Sequence, residues 1–85
     1  MPRPSVLGER ILLARRREKL SQDKLGELIG LAGHTIGQLE RGAIRELRSD
    51  AVRKAAKALK VTCDYLLGMD LEEDELPDMA LLGVS

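Results

Sequence analysis

The sequence predicts an all-α protein, a compact bundle of five short helices. Three observations carry that prediction. The apolar residues are mainly Leu, Ile, Ala and Val, and Tyr65 is the only aromatic, a mixture that favours helices over strands. They recur three and four positions apart, the repeat of a helix with one buried side. Residues suited to helix caps, Ser21, Ser49 and Thr62, are interspersed with glycines suited to helix ends, Gly30, Gly42 and Gly68.

The first helix carries Leu7, Ile11 and Ala14 as its inward stripe, and Arg15, Arg16 and Arg17 mark its last turns before Leu20. The second is opened by Ser21 as N-cap, runs from Gln22 to Ile29 with Leu25, Leu28 and Ile29 inward, and stops at Gly30. The third holds Ile36 and Leu39 and ends at Gly42. Ser49 is expected to cap the fourth, whose inner face is Val52, Ala55, Ala56 and Leu59. Thr62 caps the fifth, which carries Tyr65 and Leu66, packs Cys63 at its start and stops at Gly68.

With 85 residues, the chain is expected to form one domain. A domain of this size buries only about 60% of its unfolded surface, which leaves little room for an enclosed catalytic cavity. Paired carboxylates, metal-ligand spacings and nucleophile motifs are all missing from the sequence. The expectation is a non-enzyme with no cofactor and no metal. The lone Cys63 has no second thiol to pair with, and Met1-Pro2-Arg3-Pro4 lacks the apolar stretch of a secretory signal. No apolar run approaches the roughly 20 residues of a membrane span. A soluble, cytoplasmic protein is expected.

The net charge of zero averages two unlike pieces. Residues 1–69 hold all 14 Lys and Arg beside eight acids, a net of +6, whereas 70–85 hold the other six acids and no base, a net of −6. The division predicts a basic domain over 1–69 and an acidic tail over 70–85. It suits a polyanionic partner, or a solvated surface with a solubilising tail. Leu71, Leu76, Met79, Leu81 and Leu82 interrupt the tail's acids, and Pro77 is suited to begin a short helix over 78–82. Three roles fit such a segment: pairing two protomers, folding over the basic face as a DNA mimic, or remaining disordered.

The join between the second and third helices carries the function. Two helices that meet steeply through a short turn need a small residue where their backbones approach, a glycine able to take positive φ, and apolar anchors inside. Gly26, Gly30, Ile36 and Leu39 supply these at the spacing of a helix-turn-helix between Ser21 and Gly42. The residues Leu20-Ser21-Gln22, Leu25, Gly30, Thr35-Ile36, Leu39-Glu40-Arg41-Gly42, Ala56-Lys57-Ala58-Leu59 and Asp64-Tyr65-Leu66-Leu67-Gly68 resemble the Xre/Cro/CI family of phage-repressor-like transcriptional regulators. The resemblance spans residues 6–68, about three quarters of the chain.

That resemblance implies a lambda repressor-like DNA-binding domain whose third helix lies in the major groove, with the start of the second resting on the phosphate backbone. Gln22 then holds a phosphate beside the free N–H groups of a helix N-terminus. Gly33, His34, Thr35 and Gln38 occupy the positions that meet the groove. Gln38 suits a paired bond to adenine N6 and N7, Thr35 a phosphate or thymine methyl, and His34 a guanine acceptor. Arg41, Arg45 and Arg48, placed in the loop after the third helix, are expected to touch phosphates. The alternative is an ordinary first-turn glutamine for Gln22, a solvated polar face for His34, Thr35 and Gln38, and plain exposure for the three arginines. Arg15 and Glu40 stand where the family places a structural ion pair. The sequence departs from the family where Ala32 and Gly33 replace the usual Ser or Thr cap and polar reader, and where Gly37 is expected to interrupt the exposed face.

The resulting expectation is a repressor that binds double-stranded DNA as a homodimer on an inverted repeat. A protein-interaction module, an antitoxin or adaptor that grips its partner through the acidic tail, is the alternative.

Overall fold

The computed structural model describes residues 5–69, and the expectations placed on the 70–85 tail lie outside them. Among the described residues the chain folds into five helices and no strand: α1 (Val6–Arg17), α2 (Gln22–Ile29), α3 (Gly33–Arg41), α4 (Ser49–Leu59) and α5 (Cys63–Leu67). None is long and apolar enough to cross a membrane.

The caps explain most of the boundaries. Ser5 opens α1 by accepting from the N–H of Gly8 at 3.0 Å, Ser21 opens α2 by accepting from Lys24, and Thr62 opens α5 by accepting from Tyr65. Each hydroxyl satisfies one of the N–H groups that a helix start leaves without an internal partner. Gly30 (φ 80°) and Gly42 (φ 85°) end α2 and α3 in the left-handed conformation that costs glycine little. The fourth helix differs from expectation. Arg48, not Ser49, holds the extended cap conformation, because its carbonyl already accepts the first helical bond from Val52 at 3.0 Å. Ser49 is therefore the first helical residue and no side chain caps α4.

Ile11, Leu25, Ile36, Leu39, Leu59 and Leu66 form the fully buried centre, one or two from each helix. Leu28 does not join them and remains 47% exposed. At 3.6 residues per turn it lies about 110° round α2 from the middle of the arc that Leu25, Gly26 and Ile29 turn inward. Leu25 and Ile29, four apart, take the two inner seats.

Helix α1 packs on α3, α4 and α5, and α2 packs on α3 and α4, so α3 is held from two sides. The crossing of α1 over α3 is close: a Cβ on Gly8 would overlap the carbonyl of Leu39. At the far end Arg17 donates from Nη2 to the carbonyl of Leu59 at 2.8 Å, tying the end of α1 to the end of α4. Arg10 donates to the carbonyl of Tyr65 at 2.7 Å and lies 4.4 Å above its ring, which fixes α5 against α1. Cys63 is half-buried against the edge of the core.

Candidate nucleic-acid interface

The turn between α2 and α3 needs two close backbone approaches, and glycines permit both. A Cβ on Gly26 would collide with the carbonyl of Leu31, and one on Gly33 would collide with the Asp23 carboxylate. Gly30 supplies the left-handed step between the helices. With Ile36 and Leu39 fully buried, the arc of α3 that carries His34, Thr35 and Gln38 is turned away from the core. His34 is exposed; Thr35 and Gln38 are half-buried. His34 and Gln38 are four residues apart and share one face.

Glu40, on a different side of α3, anchors a polar network. Arg15 grips Glu40 with two parallel hydrogen bonds, Nε to Oε2 at 2.7 Å and Nη2 to Oε1 at 3.0 Å. This is the two-pronged geometry that makes Arg–carboxylate pairs strong. The Arg15 and Glu40 side chains are only 13% and 6% exposed, so the bonds that satisfy both charges decide whether the pair is tolerable at all. Arg15 also donates from Nη1 to the carbonyl of Leu20 at 2.9 Å. Gln22 donates from Nε2 to Glu40 Oε1 at 3.0 Å. One carboxylate on α3 thus fixes a guanidinium from α1 and an amide from the start of α2.

Gly37 occupies a different place from the one expected. It is buried, because the Gln22 amide and the Arg41 guanidinium lie over it: a Cβ there would stand 3.1 Å from Arg41 Nη1 and 3.3 Å from Gln22 Nε2. Arg41 belongs to the last turn of α3 and not to the following loop, since the helix runs on until Gly42 reverses the chain. The N–H groups of Ala43 and Ile44 return to the carbonyl of Gln38 at 2.9 and 3.1 Å. That return keeps Arg45, the next residue, near the end of α3. Arg45 and Arg48 are both exposed, and Arg48 Nε lies 3.6 Å from Asp50 Oδ1. Gly33 is the first residue of α3 and presents no side chain of its own. The α2–α3 edge therefore gathers Gln22, Gly33, His34, Thr35, Gln38 and Arg41, with Arg45 and Arg48 on the segment that leaves it. Neither Asp23 nor the anchoring of Gln22 by Glu40 follows from spacing along the chain. The only signal for the first was a glycine where a polar reader is usual.

A helix-turn-helix family model matches residues 11–66. The chain belongs to this helix-turn-helix family, in its Xre/Cro/CI, phage-repressor-like form. Repressor protein C2 of Salmonella phage P22 is 35% identical to the helix-turn-helix chain over 68 residues, which are 80% of this chain and 31% of the repressor. The chain thus spans about a third of the length of that relative. The crystal structure of the P22 c2 repressor in complex with a synthetic operator is similar at a TM-score of 0.69 and 36% identity, covering 75% of this chain and 96% of that one. SinR, a master regulator for biofilm formation solved in complex with DNA, is similar at 0.67 and 26%, covering 72% and 97%.

Proposed function

We propose that the chain binds duplex DNA as a homodimeric transcriptional repressor in the cytoplasm, one α3 reading each half of an inverted repeat. The observation that supports this best is the arrangement of one edge: a polar arc on α3, bordered by an amide anchored at the start of α2 and by a run of arginines. The relatives solved with DNA share this fold at 26–36% identity. In this reading residues 1–69 are the binding domain and 70–85 a separate acidic tail. Gln22 and Arg41 hold one phosphate region, Arg45 and Arg48 another, and His34, Thr35 and Gln38 face base edges. Repression follows from occupying a promoter. Half-sites are expected about 34–36 Å apart, one turn of the duplex.

Binding to random and to selected duplexes across a salt series tests the proposal. Log affinity should fall linearly with log salt, by about 0.9 for each phosphate neutralised. A folded chain with scarcely any affinity at low salt would overturn it. Binding at one protomer per site would remove the dimer.

A further inference from the structure

Gly33 opens α3 without a side chain, yet the space beside it is filled. A Cβ built there meets the carboxylate of Asp23, which reaches across from the second residue of α2. Asp23 is exposed, and α3 begins with neither a capping side chain nor an acid in its own first turn. The carboxylate of an exposed residue therefore stands against the end of α3 that also carries His34 and Thr35.

We propose that Asp23 is a specificity-determining residue that stands in for the side chain Gly33 lacks, accepting a hydrogen bond from the exocyclic amino group of a cytosine. The inference rests on the reading that α3 enters the major groove. A carboxylate only accepts, so it needs a donor on the base edge. Guanine and thymine offer it acceptors there, and adenine sets the N7 acceptor beside its amino group; cytosine alone offers a donor without an acceptor on the same base. The choice is sharpened by repulsion, because any other base brings acceptors against a negative charge. That charge is tolerable among phosphates because the positive end of α3 lies beside it.

Selection from a randomised duplex library with the full chain, Asp23→Ala and Asp23→Asn tests this. The unaltered chain should prefer cytosine about tenfold at one position of each half-site, the ratio that corresponds to a single good base contact. Asp23→Ala should lose that preference, keep those at other positions, and bind random duplex more tightly because one anionic repulsion is gone. Asp23→Asn, which pairs a donor with its acceptor, should move the preference towards adenine. An Asp23→Ala profile identical to that of the unaltered chain overturns the assignment. So does an Asp23→Asn profile that keeps cytosine while Asp23→Ala loses it, because asparagine caps a helix as well as aspartate does and the role would then be structural. Should the unaltered chain select no sequence while folded, the groove reading itself falls, a result distinct from either of these.

Discussion

Gln22 donates from Nε2 to Oε1 of Glu40 at 3.0 Å, and the same oxygen accepts from Arg15 Nη2 at 3.0 Å. The residue expected to rest on the DNA backbone is thus held in place by an ion pair between two other helices. Glu40→Ala strands a guanidinium that is largely buried, and is expected to lower stability by about 3–5 kcal/mol in urea unfolding. Arg15→Met combined with Glu40→Leu removes both charges and should recover most of that loss. It leaves the Gln22 amide without its anchor, so DNA affinity should stay several-fold below that of the unaltered chain. A double variant that is stable and binds with full affinity would reduce the network to a structural role.

Gly37 separates stability from binding in the opposite direction. An interior glycine costs a helix about 0.5–1 kcal/mol relative to alanine. The atoms that an added Cβ would meet, Arg41 Nη1 at 3.1 Å and Gln22 Nε2 at 3.3 Å, are the ends of flexible side chains. Gly37→Ala should therefore raise the unfolding midpoint while it pushes both groups out of position and weakens DNA binding. Thermal unfolding and a DNA titration of one preparation check both halves.

At Gly8 the neighbour is backbone and cannot yield. A Cβ there overlaps the carbonyl of Leu39, so α1 and α3 must separate to admit it. Gly8→Ala is expected to cost about 1–3 kcal/mol despite the better helix propensity of alanine. For a domain of this size each kcal/mol lowers Tm by about 4–8 °C, which a melting curve resolves.

Much of this architecture was legible because it is local. The Ser21 cap, the Gly30 and Gly42 stops and the inward stripe of Leu7, Ile11 and Ala14 depend on neighbours within a turn or two, and the structure holds them where the sequence places them. Arg15 and Glu40, 25 residues apart, were found only through the family resemblance. The rest depended on how helices meet. Leu28 satisfies the helical repeat yet faces outward, because the neighbouring helices cover only the side of α2 that carries Leu25, Gly26 and Ile29. Gly37 read as a gap in an exposed face, but its burial comes from the long side chains of Gln22 and Arg41 folding over it. Asp23 beside Gly33 follows from the angle of the turn, which no spacing along the chain encodes.

Two further substitutions distinguish the kinds of contact proposed for the α3 edge. Gln38 is half-buried on the arc that carries His34, and its carbonyl accepts from Ala43 and Ile44. Because those bonds use only backbone, Gln38→Ala leaves the turn intact and removes just the amide. It is expected to relax discrimination at one base pair by about 1–3 kcal/mol, with random-duplex affinity little changed. Arg45→Ala removes an exposed charge from the following segment. It should weaken every sequence alike and make the slope of log affinity against log salt shallower by about one. The two effects are measured in the same assay and differ in kind. If Arg45→Ala altered the preferred sequence while Gln38→Ala altered only overall affinity, then α3 would lie across the duplex with its C-terminal end towards the bases. The assignment of His34 and Thr35 to the groove would fall with that reversal.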